Sequence, residues 1–120
     1  MTYSKRNASI GYVQGFNFIV SKLMEYVDNE EYVFWIFVVI IEHILPINYF
    51  SELAGVMADV DLLLILTQQL YHINMQPELG DTAYNYLKNI LFQWYSTLFT
   101  VGFNTDAADV IWDMFFLKKE

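Results

Sequence analysis

The chain has no cysteine, only two prolines among 120 residues, and six basic side chains against fourteen acidic ones. Without cysteine there is no disulfide framework, no thiolate nucleophile and no Cys-based zinc site, which fits a reducing compartment. The formal charge of −8 and the pI near 4.5 set up a long-range field that repels phosphate backbones and anionic lipid, so nucleic acid is not an expected partner. Lys5, Arg6, Lys118 and Lys119 place most of the bases at the two ends, where they read as solvated termini rather than a binding patch. Met1 leads straight into polar TYSKRNAS, which lacks the apolar core of a secretory signal. The longest apolar run, Tyr32 to Ile41, is about half the roughly 20 residues that a spanning helix needs. Glu42 and His43 close it, so no transmembrane segment is expected.

Apolar residues, by contrast, are in excess. They make up 56% of the chain, and charged residues are 17% against about 25% in ordinary domains. Either this surplus lies against something outside the chain, or the chain is mostly buried helix. The pattern favours an all-α array of five to six helices. Ser9 is placed to cap a first full helix running to Val27, and Asn29 a second that Pro46 stops after Leu45. Glu30 and Glu31 then suit the positive end of the second helix. A third segment, Phe50 to Leu70, repeats its apolar positions about every 3.6 residues, with Gly55 marking its weakest turns. Tyr71 to Asp81, with Pro77 and Gly80, reads as an irregular connection. A fourth helix spans Thr82 to Val101 before Gly102, and Asn104 or Thr105 caps the last. The aromatic stripe of Trp35, Phe37, Trp94, Phe99, Trp112 and Phe116 is expected in the core, with Asp113 holding a helix contact through a hydrogen bond.

Chemistry is sparse. Glu42-His43 and Asp59-x-Asp61 match no metal-ligand spacing, and His43 and His72 lack a companion. GYVQG does not have the spacing of a phosphate cradle. One polar residue stands out by position. Stepping about 100° per residue, Phe16, Ile19, Leu23 and Val27 gather opposite Gln14, with Tyr12 on their side, whereas Asn17, Ser21 and Glu25 share the side of Gln14. By spacing alone Gln14 is one more solvated amide on an amphipathic helix. Phe18, an aromatic one turn on and on the same outward side, points instead to a surface that something covers.

The segment Tyr12-Val13-Gln14-Gly15-Phe16-Asn17-Phe18-Ile19 resembles the Y-x-Q signature of TBC domains, activators of Rab-type small GTPases. Further likenesses follow in the family's order. Tyr3 to Asn7 resembles the helix end before that signature, and Glu30-Glu31 with Phe34-Trp35 is similar to EE-x-AFW. Leu45-Pro46 with Tyr49-Phe50 is similar to LP-x-x-YF, Trp94 to Phe99 to W-F-x-x-LF, and Ile111-Trp112-Asp113 with Phe115-Phe116 to IWD-x-FF. Val13 stands in place of the usual cysteine, Phe16 of methionine and Ala8 of proline. The family's I-x-x-D-x-x-R motif, which carries its catalytic arginine, is not in the sequence, and Arg6 matches a variable basic position rather than that arginine.

The resemblance therefore implies that residues 1–120 are part of a TBC domain, its central and C-terminal helices. It implies a GTPase activator for a Rab-type GTPase, supplying Gln14 in trans as the catalytic glutamine, with Tyr12, Asn17 and Phe18 supporting it or touching the GTPase. No cofactor of its own is implied, since GTP and Mg belong to the partner. The implied setting is vesicle trafficking in the cytoplasm, with room for peripheral contact with endomembranes. If helices of the domain lie outside the chain, the face they cover predicts self-association. Two alternatives stand beside this reading: a catalytically inactive TBC-like interaction module, and a membrane-associated helical protein suggested by the mean hydropathy of +0.30.

Overall fold

The computed structural model describes the backbone over residues 2–71 and 75–117, and side chains over 2–70 and 84–117. Among the described residues there is helix and no strand. The elements are α1 (Thr2–Arg6), α2 (Phe16–Met24), α3 (Glu30–Val39), α4 (Ala54–Tyr71), α5 (Met75–Ser96) and α6 (Thr105–Leu117). A widened turn, Ile40–Ile44, prolongs α3, and a 3-10 turn, Ser51–Leu53, precedes α4.

Two of the expected caps are made. The Asn29 side chain accepts from the N–H groups of Glu31 and Tyr32 at 2.9 and 3.1 Å, and Asn104 accepts from Ala107 at 2.8 Å. Each satisfies donors that the first helical turn leaves unpaired. The first full helix ends at Met24 rather than Val27, and three further boundaries differ from the sequence expectation. The first full helix begins at Phe16, not after Ser9, because Gly11 and Gly15 take left-handed conformations, φ 69° and 114°, that interrupt it. The expected loop is helical from Met75, and Pro77 stands in the first turn, where a missing N–H removes no helical bond; His72 to Asn74 lie outside the described residues. Finally, α5 stops at Ser96 rather than Val101. Leu98 and Phe99 then turn left-handed, φ 49° and 63°. That conformation is costly for side-chain-bearing residues and persists only when held. Here the Phe99 N–H donates to the Trp94 carbonyl at 2.7 Å and the Trp112 indole to the Leu98 carbonyl at 2.8 Å.

The main core gathers Tyr3 of α1, Phe16, Ile19 and Leu23 of α2 and Phe37 of α3 around Phe50 and Trp112. Phe16 is its hub, meeting the rings of Tyr3, Phe37 and Phe50 edge-on at 5.0 to 5.9 Å, the approach that aromatic quadrupoles favour. A second, smaller core joins Val60 and Leu64 of α4 to Leu91 of α5. The aromatic stripe is only partly interior: Phe37 and Trp112 are buried, Trp94 and Phe99 half-buried, and Trp35 and Phe116 exposed. Asp113 is exposed as well. The contact expected of it is made by its neighbour Trp112, whose indole reaches across to the end of α5.

Much apolar surface is left uncovered. Leu62, Ile65, Leu66 and Leu70 form one exposed stripe on α4, and Tyr32, Trp35 and Val39 another on α3, each at helical spacing. The accessible surface, 8095 Å², exceeds the roughly 6,800 Å² of a compact monomer of this mass. The radius of gyration, 15.9 Å, likewise exceeds the roughly 14 Å of a compact chain of this length. Among the described residues, Ser51–Leu70 is the single helical stretch long and apolar enough to cross a membrane by length and composition. It carries Asp59 and Asp61 near its middle, and Lys88 of α5 pairs with Asp61 at 2.8 Å.

Candidate functional site

Gln14 lies on the surface, in the turn that leads into α2 rather than on the helix itself. Its outward position is therefore set not by helical phase but by anchors on either side. Upstream, Asn7 is the first anchor. Its Nδ2 donates to Glu42 Oε1 at 3.1 Å and to Tyr3 Oη at 3.3 Å, while its Oδ1 accepts from Ser9 Oγ at 2.7 Å and from the Ile10 N–H at 3.4 Å. Ser9, expected as a helix cap, thus serves this loop. Arg6 completes the cluster, 3.4 Å from Glu42 Oε2 and over the Trp35 ring at 5.3 Å. Partial burial pulls the Glu42 carboxyl upward, but the Asn7, Arg6 and Tyr3 contacts outweigh it and hold the group below its usual range. Tyr3 is pushed up to about 12, first by burial and then by the Glu42 charge.

Downstream, Gly15 is the second anchor. Its backbone presses on the end of α5 so closely that a Cβ there would lie 3.2 Å from both the Ser96 carbonyl oxygen and Thr97 Cγ2. Only a residue without a side chain combines that approach with φ 114°. The result is a cleft of about 220 Å³ lined by Gln14, Gly15, Phe18, Phe92, Gln93, Ser96 and Thr97. Its lining carries no charged side chain, only amides, hydroxyls and apolar surface, on a chain that is strongly acidic.

Of the residues singled out in the sequence, the structure brings Gln14 and Phe18 together in this cleft, Phe18 being 45% exposed. Asn17 is exposed on the first turn of α2, outside the lining. Tyr12 is not at the buried pole: it is 54% exposed and only its edge meets Phe16, at 6.2 Å. The helical projection fails for it because residues 11–13 are not helical. Gln93, Ser96 and Thr97 were not anticipated, although their spacing of three and four residues places them on one face of an otherwise aromatic helix. Behind α2, Lys22 is buried and bonded to Glu25 at 2.8 Å and to Asp109 of α6 at 2.5 Å. Burial lowers the affinity of its amine for a proton, but the bonds to Asp109 and Glu25 prevail and hold it above its ordinary value. This pair fastens α2 to α6 and so fixes the helix that Gln14 precedes. Among the described residues, no cluster of His, Cys, Asp or Glu is arranged to hold a metal ion.

The family model described as Rab-GTPase-TBC domain matches residues 1–120. TBC1 domain family member 2A of Rattus norvegicus is 31% identical over 117 residues, 96% of this chain and 12% of that protein. Member 2B of Mus musculus matches to the same extent. Growth hormone-regulated TBC protein 1 of Xenopus tropicalis is 28% identical over 118 residues, 98% of this chain and 34% of its own length. The chain thus spans from 12% to 34% of the length of these relatives. No solved structure matches it. With its helical array, its Y-x-Q turn and a family match from end to end, the chain belongs to the Rab-GTPase-TBC domain family.

Proposed function

We propose that the protein containing this chain stimulates GTP hydrolysis by a Rab-type small GTPase, with Gln14 supplied in trans as the catalytic glutamine. The observation that carries this reading is the exposed position of Gln14, in a turn whose upstream loop is held by Asn7 on Glu42 and whose next residue, Gly15, packs against Ser96 and Thr97. GTP hydrolysis needs a water held in line with phosphorus and compensation for charge on the transferring phosphoryl group. A carboxamide both donates and accepts, so it can orient that water. The uncharged cleft beside it avoids setting a carboxylate against the nucleotide. GTP and Mg would come with the partner, and the charge-neutralising arginine from outside residues 1–120. An arginine finger contributes about 10³ to 10⁵ in rate in GTPase systems, so these residues alone would be a weak activator. A cytoplasmic place in vesicle traffic, with peripheral contact with endomembranes, belongs to the same reading. Single-turnover hydrolysis across a panel of Rab-type GTPases tests it. The full-length protein should accelerate at least one, and Gln14→Ala should remove most of that acceleration. Equal rates for both would leave the inactive interaction module as the better description.

The exposed stripes on α3 and α4 support a second element of the proposal, that residues 1–120 by themselves self-associate. Exposed apolar side chains that line up along a helix face mark a surface that something covers. Light scattering should report a mass at or above that of a dimer, falling when Leu62, Ile65 and Leu66 are replaced together by glutamine. A monomer for the unsubstituted chain would refute self-association.

A further inference from the structure

The cleft beside Gln14 has a second carboxamide. Gln93 is exposed on α5 and shares a helix face with Ser96 and Thr97, the two residues that Gly15 presses on. Gln14 and Gln93 therefore line the same cleft of about 220 Å³, with Phe18 and Phe92 as its apolar wall. The other polar side chains there are already engaged. Ser96 Oγ donates to the Gln93 carbonyl at 3.3 Å, and Thr97 Oγ1 to the same carbonyl at 2.8 Å. Neither glutamine carboxamide has a hydrogen-bond partner among the described residues.

We propose that Gln93 is a binding residue for the partner GTPase, holding a stretch of its main chain in the cleft while Gln14 addresses the nucleotide. This rests on the reading of Gln14 as GTPase-facing. A carboxamide offers a donor and an acceptor side by side, the complement of a peptide N–H and C=O. Apolar side chains next to such a pair are what an extended segment needs, main-chain bonds supplying affinity and pockets supplying fit. The absence of charge in the lining favours main chain over an acidic or basic side chain as the occupant.

The test measures two quantities in the full-length protein: affinity for a Rab-type GTPase loaded with a non-hydrolysable GTP analogue, and the single-turnover rate in the saturated complex. Gln93→Ala is expected to weaken binding about 3- to 10-fold, the effect of one or two net hydrogen bonds, and to leave the saturated rate within twofold. Gln93→Glu, the same shape without the amide donors, should weaken binding at least as much. Gln14→Ala should do the reverse, losing rate and keeping affinity. Unchanged binding in either folded Gln93 variant overturns the proposal. Weakened binding in the Gln93 variants together with a full rate in Gln14→Ala would keep the Gln93 contact and overturn the catalytic role of Gln14 instead.

Discussion

Replacing Gly15 with valine is expected to lower GTPase stimulation by the full-length protein about 10²-fold, the scale of loss when a reacting group is displaced by about an ångström. Gln14 itself is untouched in this variant; only its support changes. A β-branched residue at φ 114° is a backbone outlier, with strain of about 1–3 kcal/mol. Its Cβ would also meet the Ser96 carbonyl and Thr97 Cγ2, both at 3.2 Å. Thr97 cannot swing aside freely, because its hydroxyl is bonded to the Gln93 carbonyl at 2.8 Å. The turn must therefore part from α5, and Gln14 moves with it. Gly15→Ala should show the same effect in smaller measure. The check is the single-turnover rate at saturating protein beside a thermal melt. A valine variant that melts normally and retains its rate within threefold would show that the Gly15 contact does not position the site.

Gly55→Ala should destabilise the domain by about 3 kcal/mol, the upper part of the usual range for overpacking a core, with a fall of roughly 10 °C or more in melting temperature. Helix propensity alone predicts the opposite sign, since alanine is favoured over glycine within a helix by about 1 kcal/mol. Packing decides. A Cβ on Gly55 would lie 2.5 Å from Tyr49 Cα and 3.2 Å from its backbone nitrogen, and main chain cannot rotate out of the way. The turn ahead of α4 is folded back on the helix, with the Gly55 N–H donating to the Asn48 carbonyl at 3.3 Å and the Val56 N–H to that of Tyr49 at 3.2 Å. Tyr49 is itself buried and donates to the Tyr95 carbonyl of α5 at 3.2 Å, so a shift there loosens α4 and α5 together. Burial, followed by the nearby Asp59 charge, holds its phenol above the ordinary value, keeping that hydroxyl a donor. Calorimetry on the two proteins checks the prediction, and an equal or higher melting temperature for the alanine form would contradict it.

These two glycines also show where sequence reading reaches and where it stops. Periodicity locates the buried pole of α2 correctly at Phe16, Ile19 and Leu23, because core positions repeat with the helix. It carries no information about residues before the helix begins, so Tyr12 is misplaced and Gln14 is assigned to a helical face when a turn presents it. Local capping chemistry is legible at Asn29 and Asn104, since a short acceptor side chain bonds donors two or three residues on. The anchors of the site span long separations: Asn7 to Glu42, Gly15 to Ser96, Lys22 to Asp109. No window of sequence joins such pairs. The same holds for Gln93, which gains meaning only when α5 is laid against Gly15. Pro77 misled because the first turn of a helix tolerates a proline that the interior does not, and Gly80, in the second turn, costs only about 1 kcal/mol relative to alanine.

In the proposed mechanism the Gln14 carboxamide reaches the nucleotide of a bound GTPase. A crystal structure of the full-length protein with a Rab-type GTPase carrying a GTP analogue would measure this directly. A Gln14 amide atom is expected within about 3.2 Å of the water facing the terminal phosphate. A complex in which Gln14 points to solvent, or in which the GTPase docks away from the cleft between Gln14 and Gln93, would contradict it.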